Sequence, residues 1–459
     1  HAITLTIEGL NELETIIEVA QNTSLTVPNI GIRVRLHSTG SGTWAKSAGI
    51  DAKFGLTATE IIEAIKLLKA ASLLDKLSMV HFHIGSQMED IAPLKKALRE
   101  AGNIYAELRK MGANSLTNIN IGGGLAIEYD QHSTTKSRNY SLKEFSSSVV
   151  FLLAEIMDAK NVKHPNIFTE SGRFIVASHA VLITPVLELF SQDYHEKFLN
   201  FKSVNPPLIN ELVELNNSLN DSNAIEYLHD ALDHIESLLT LFDLGYIDLQ
   251  DRSNAEILSH NIIKKALYLN SSNPTIELEQ LQIKIQERYL INASVFQSLP
   301  DYWGLSQSFP IMPLDHLNTK ANRAASLWDI TCDSDGEIAF DPQKPLYLHD
   351  INLEQGDYFL GFFNVGAYQE TLGMNHNLFT KPTEYTINID DCGYKISNEC
   401  ESKSLLDILG SIGYQQGEIL NKLESDLLNS HFITEKEKTD TLTQLRLFFA
   451  QNGYLRTTT

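Results

Sequence analysis

"LTNINIGGG" (residues 116–124) runs an apolar strand straight into three consecutive glycines. A strand that ends in such a loop and precedes a helical stretch is one βα unit, and the unit recurs on both sides. Strands are predicted at "AITLTIE" (2–8), "IGIRVRL" (30–36), "LSMVHFHIG" (77–85) and "NIFTESG" (166–172). Between them, residues 10–21, 58–71, 91–111 and 142–158 place apolar residues at helical spacing. Strands alternating with helices imply parallel pairing. Residues with chemistry cluster where strands end: His83-Ile84-Gly85-Ser86, Gly122-Gly123-Gly124 and Glu170-Ser171-Gly172-Arg173. That is the C-terminal face on which a (β/α)8 barrel builds its sites. Five units are visible, so a full barrel calls for about three more strands ahead of His1. The abrupt opening on a strand, without methionine, reads as the remainder of a longer protein.

The pattern changes near residue 178. Residues 1–178 are read as a partial (β/α) barrel, and 179–192 with 298–400 as a β-sandwich or small-barrel domain. Residues 193–297 are read as a helical insertion, with Leu, Asn, Glu and Asp at helical spacing, and 401–459 as a helical C-terminal segment. The fold class is therefore α/β with added β and helical parts.

A hydrophobic fraction of 43% with 20% charged residues describes a globular chain, and no apolar run is long enough to span a bilayer. A net charge of −22 opposes nucleic acid and anionic lipid as partners. Three cysteines, Cys332, Cys392 and Cys400, suit a reducing compartment, so a cytoplasmic location is expected.

Each motif has a plain alternative. Gly122-Gly123-Gly124 fits a phosphate loop or a flexible turn. In Glu170-Ser171-Gly172-Arg173 the guanidinium can fork onto phosphate, or simply close a salt-bridged turn. Two such loops on neighbouring strands favour phosphate. His81 and His83, two apart on one strand, allow a metal pair, a ring stacked on a flat cofactor, or core histidines. Arg35 is a buried-looking cation at similar barrel depth or a barrel-wall salt bridge, and Tyr368 of "GAY" (366–368) a ligand hydroxyl or a packing aromatic. In "SLWDITCDSDGEI" (326–338), Cys332 lies among Asp329, Asp333, Asp335 and Glu337. Such acids raise a thiol's pKa and keep its proton on; the readings are a metal site, a core cysteine beside an acidic turn, or a thiol that donates a proton.

Taken in order, H-x-G-S (83–86), G-G-G (122–124), E-x-G-R (170–173), C-D (332–333) and G-A-Y (366–368) resemble the fold-type III pyridoxal-phosphate decarboxylases. "FHIGSQ", "INIGGGLAIEYD", "ITCDSDGE" and "GAYQETLGMNHNLF" are similar to the arginine decarboxylase branch, as are the helical insertion and tail. The resemblance implies conversion of L-arginine to agmatine and carbon dioxide in polyamine synthesis, with pyridoxal 5'-phosphate as cofactor and magnesium (Mg2+) as accessory ion, its ligands unassigned.

By resemblance, His83 stacks on the pyridine ring and counts with Cys332 among the catalytic residues, and Ser86 bonds the cofactor. Gly122, Gly123, Gly124, Gly172, Arg173 and Tyr368 hold its phosphate side, Glu170 pairs with the ring nitrogen, and Arg35 helps position it. Ile119, Asn120, Ile121, the three glycines, Leu125, Ala126, Ile127, Glu128 and Tyr129 line the substrate region. Cys332 protonates the carbanion, while Asp333 or Asp335 pairs with the guanidinium. The resemblance also implies a homodimer whose subunits share sites. The family's Schiff-base lysine lies in a Y-P-x-K context that these residues do not contain, and Lys53 in "AKFGL" does not replace it. The chain is read as starting at the fourth barrel strand. Two other readings are an enzyme of this scaffold acting on ornithine, diaminopimelate or carboxynorspermidine, and an inactive regulatory homologue.

Overall fold

Short runs of Ile, Val, Leu and Thr, bounded by polar residues and glycine, set the strands of the first part of the chain. The computed structural model describes residues 3–38, 52–129, 138–191, 193–270, 275–339, 341, 345–432 and 434–455. Residue 2 of the first expected strand lies outside them. The chain divides into two units. The first takes in residues up to Val181 with Leu305–Pro310 and Phe363–Tyr368. The second comprises Leu182–Gly304, Ile311–Phe362 and the chain from Gln369 onward.

In the first unit, β1 (Thr4–Ile7), β2 (Asn29–Arg33), β3 (Leu77–His81), β4 (Asn118–Asn120) and β5 (Asn166–Phe168) form one sheet in that order. Every neighbouring pair is parallel. The connections carry α1 (Leu10–Asn22), α2 (Ala58–Ala70), α3 (Ala92–Lys110) and α4 (Leu142–Lys160), the βα succession of a (β/α) barrel. Local chemistry fixes the helix ends. Thr57 and Glu60 form a capping box ahead of α2, and Asn161 closes α4 in the left-handed conformation. Ile61, Ala64, Ile65 and Leu68 of α2 are buried with Ile30, Ile32, Val80 and Ile119 of the strands in one core. A short helix, α5 (Gly172–Val176), follows β5.

Register places the site. Arg33 pairs with His81, His81 with Asn120, and Asn120 with Phe168, so one row of side chains crosses four strands on the same side of the sheet.

The second unit begins with β6 (Leu182–Phe190). The bundle that follows contains α6 (Pro207–Ser218), α7 (Ala224–Asp243), α8 (Leu249–Leu269) and α9 (Ile276–Ile285). Ile209, Leu212, Leu238, Leu258 and Ile262 make its main core. Then come β7 (Glu287–Ile291), α10 (Val295–Ser298), β8 (Ile311–Pro313), β9 (Arg323–Trp328), β10 (Glu337–Ile338), β11 (Tyr347–Leu348) and β12 (Phe359–Phe362). The sheet order is β10-β9-β7-β6-β12-β8, with β11 also on β9. β7 corrects the sequence reading, which extended the helical insertion to 297. Helix α9 stops at Ile285, and "ERYLI" buries Glu287, Tyr289 and Ile291 on one side while pairing with β6 and β9. Alternation and ladder pairing outweigh the helical propensity of "QIKIQER" there. An exposed hairpin, β13 (Glu384–Asp390) with β14 (Gly393–Cys400), precedes helices over Leu405–Ser411, Gln416–Leu428 and Glu435–Phe449.

Candidate active site

Strand β4, which ends on Asn120, runs directly into the glycine loop. Asn120 turns both ends of its carboxamide to use: Nδ2 donates to Glu170 Oε1 at 2.9 Å, and Oδ1 accepts from Gly122 N at 2.9 Å. Backbone bonds lock the two loops together, with Glu170 N donating to the Gly122 carbonyl at 2.8 Å and Gly172 N to the Glu170 carbonyl at 2.7 Å. Two glycines are required by shape. Gly122 has φ +67°, and a Cβ there would lie 2.6 Å from the Phe82 carbonyl oxygen; at Gly123 it would lie 2.7 Å from that of Glu170.

His83 faces this loop. Its Nδ1 accepts from Gly123 N at 3.2 Å, which requires that nitrogen to be unprotonated. Burial, then the charge of Arg33, holds the His83 pKa below the usual imidazole value, so the ring is neutral at pH 7. His81 is also lowered, first by burial, while the Glu170 carboxylate works in the opposite direction. The loop carrying Ser86, half-buried, is zipped to residues 124–127: Met88 N donates to the Gly124 carbonyl at 2.9 Å, and Gln87 exchanges two bonds with Ile127.

Arg173 is buried. One of its terminal nitrogens donates to the Tyr129 hydroxyl at 3.0 Å, and its Cζ lies 4.6 Å from the Tyr368 ring centroid. Tyr368 holds φ +69°, an uncommon conformation for a large residue. A Cβ on Gly172 would meet nothing within 4 Å, so there is open space over the backbone beside Arg173. A cation, bare backbone, a neutral flat ring and a carboxylate thus occur together in one unit, and this donor set fits the phosphate, ring and ring nitrogen of pyridoxal phosphate.

Arg35 is half-buried, and its Nε donates to the Phe54 carbonyl at 3.4 Å. The arginine in the cross-strand row is instead Arg33, paired with Glu8. Sequence reasoning missed it, although the alternation in "IGIRVRL" puts Arg33 and Arg35 on one side. Of the substrate-region residues, Ile119, Asn120, Ile121, Leu125, Ala126 and Tyr129 are buried, Ile127 is half-buried and Glu128 is exposed.

In the second unit, Cys332 is exposed on the turn after β9. Asn377 Oδ1 accepts from the Cys332 backbone N at 3.2 Å and lies 3.6 Å from Sγ. Asp333 Oδ1 accepts from Asp335 N at 3.2 Å, and its Oδ2 lies 3.6 Å from His376 Nε2. Asp329 is the buried member of this acidic group. It accepts from Thr331 N, Thr331 Oγ1 and Val295 N at 2.6–2.8 Å, and burial raises its pKa. Asn377 went unnoticed in the sequence. Its signal is weak: an asparagine, tolerant of the left-handed region, at φ +50°. Among the described residues no group of three His, Cys, Asp or Glu is placed to hold a metal ion.

Comparison with known proteins agrees with this geometry. Residues 1–177 match the family described as pyridoxal-dependent decarboxylase, pyridoxal binding domain, and residues 202–282 the arginine decarboxylase helical bundle domain. A biosynthetic arginine decarboxylase of Geobacter sp. (strain M21) is 40% identical, over 96% of this chain and 73% of the relative. One from Phocaeicola vulgatus is 38% identical, over 92% and 68%. The crystal structure of the Campylobacter jejuni biosynthetic arginine decarboxylase superposes with a TM-score of 0.90 at 56% identity, covering 100% of this chain and 74% of that one. Diaminopimelate decarboxylase from Helicobacter pylori shares the fold, with a TM-score of 0.55 at 17% identity over 88% of this chain and 72% of that one.

Proposed function

The chain belongs to the biosynthetic arginine decarboxylase family, and we propose that it decarboxylates L-arginine to agmatine in polyamine synthesis, using pyridoxal phosphate. The observation that carries this reading is the joined strand-end cluster, in which Asn120 ties Glu170 to the glycine loop beside His83.

Bound pyridoxal phosphate supplies an electron sink for the charge left on the α-carbon as carbon dioxide departs. Arg173, the backbone of Gly122, Gly123, Gly124 and Gly172, and the Tyr368 hydroxyl would hold its phosphate, and Ser86 would add a hydrogen bond. The neutral His83 ring would lie flat on the pyridine ring without placing a positive charge there. Glu170 would keep a proton on the pyridine nitrogen, and Arg35 would support the wall behind it. The segment Ile119–Tyr129 would line the substrate region. Cys332 would return a proton to the α-carbon, and Asp333 or Asp335 would take the guanidinium, whose delocalised charge suits bidentate carboxylate contact. In a homodimer of this chain, each Cys332 loop would serve the neighbouring subunit's site. A cytoplasmic location fits three cysteines that are all free thiols, and magnesium would act as an accessory ion.

Carbon dioxide release by the holoprotein, measured for arginine, ornithine, lysine and diaminopimelate in parallel, tests the reading. Arginine should be preferred by at least about tenfold, since an unpaired acidic pocket penalises a substrate that lacks the guanidinium. Preference for any of the other three would overturn the substrate assignment.

A further inference from the structure

The Cys332 thiol is exposed, yet its surroundings are not left to chance. Two segments distant in sequence are fixed to the same short helix, α10. From one side, Asp329 Oδ2 accepts from Val295 N at 2.8 Å, and Oδ1 holds Thr331, the residue before Cys332. From the other, Met374 N donates to the Phe296 carbonyl at 3.1 Å, and the His376 ring lies 4.3 Å from that of Phe296. Close packing stiffens this second segment, because a Cβ on Gly373 would lie 2.2 Å from the Gln297 carbonyl oxygen. Clamped on one helix, the segments bring the Asn377 carboxamide oxygen to both the backbone N and the Sγ of Cys332.

We propose that Asn377 is a positioning residue for Cys332, its neutral carboxamide oxygen aiming the thiol and keeping its proton on. This rests on the reading of Cys332 as the proton donor. An uncharged acceptor can bond S–H but cannot bond a thiolate, so it favours the protonated form. The left-handed conformation of Asn377 (φ +50°, ψ +25°) bends the chain so that the side chain turns back onto the turn. Among the described residues, Asp329, Asp333 and Asp335 lie on the same turn as Cys332, and His376, on the facing segment, is 3.6 Å from Asp333.

Iodoacetamide alkylation of the full chain without substrate, followed peptide by peptide by mass spectrometry, reads the thiol directly. Cys392 and Cys400, both exposed, serve as internal references. Asn377→Gly removes the carboxamide while keeping the backbone conformation. It should lower the midpoint of the Cys332 pH–rate profile by about half a unit and speed alkylation about threefold at neutral pH. Asn377→Asp puts a negative charge on the same atom, and should raise the midpoint by about one unit and slow the reaction. The reference cysteines should not change. Cys332 profiles that overlay the wild type in both variants, or that shift in the same direction in both, would overturn the proposal. If Asn377→Gly does not fold, the sign of the Asn377→Asp shift decides alone. Because no substrate or cofactor takes part, a chain that fails to decarboxylate arginine while showing these shifts would refute the functional reading and not the positioning role.

Discussion

The strand-end cluster of the first unit and the Cys332 turn of the second both gather polar groups, but by opposite means. In the first, the groups are successive strand ends in register, and they satisfy one another at short range: Asn120 with Glu170, Gly123 with His83, Arg173 with Tyr129. In the second, the thiol and the acids beside it lie at the surface, and order comes from below, through buried Asp329, and from the side, through Asn377. A cofactor site has to be rigid before its ligand arrives, whereas a proton donor has to remain accessible. As the proposed cofactor site and the proposed proton donor, the two arrangements follow that division of labour.

Substitutions can break the comparison at either end. The largest effect is expected for Arg173→Ala, which should weaken pyridoxal phosphate binding by about a hundredfold or more, since a buried charge-assisted contact with phosphate is lost. Fluorescence titration with the cofactor checks it. Glu170→Gln should leave cofactor affinity within a few-fold and lower kcat by about a hundredfold, as expected when a charge acting on the developing electron density is removed. A parallel loss of affinity would mean that Glu170 holds the cofactor instead of tuning it. Asp329→Ala should destabilise the fold by about 2 kcal/mol, because three donors around the turn lose a buried acceptor. Denaturant titration measures this, and Asp333→Ala, at the surface, should cost far less.

The smallest effect concerns pH. Burial depresses the pKa of both His81 and His83 below that of a free imidazole. As pH falls below about 6.5 the unfolded chain takes up protons first, so stability is greatest above that value and declines as the solution is acidified. His81→Asn should reduce the fall in Tm between about pH 7.5 and about pH 5.5 by roughly 2 °C. An unchanged slope would mean that His81 titrates alike in the folded and unfolded chain.

The same contrast explains what was legible in the sequence. Strand alternation, helical spacing and the loops 83–86, 122–124 and 170–173 gave the barrel units and most of the first cluster, because register in a parallel sheet follows from local pattern. Arg33 shares its side of the strand with Arg35, and its place in the row is fixed by pairing with His81, which the alternation alone does not reveal. The second cluster depends on contacts across long sequence separations, Asp329 to Val295 and Cys332 to Asn377. No local period announces those. The same holds for β7, whose partners β6 and β9 lie far from it along the chain.

In the proposed function the strand-end cluster holds the cofactor and Cys332 supplies the proton. Cys332→Ala in the holoprotein tests it most directly, with cofactor affinity and agmatine formation measured on the same sample. Affinity should stay within about twofold of wild type while agmatine formation becomes at least about tenfold slower, the ordinary range for loss of a proton-transfer group. Loss of cofactor binding in this variant, or agmatine formation at the wild-type rate, would contradict it.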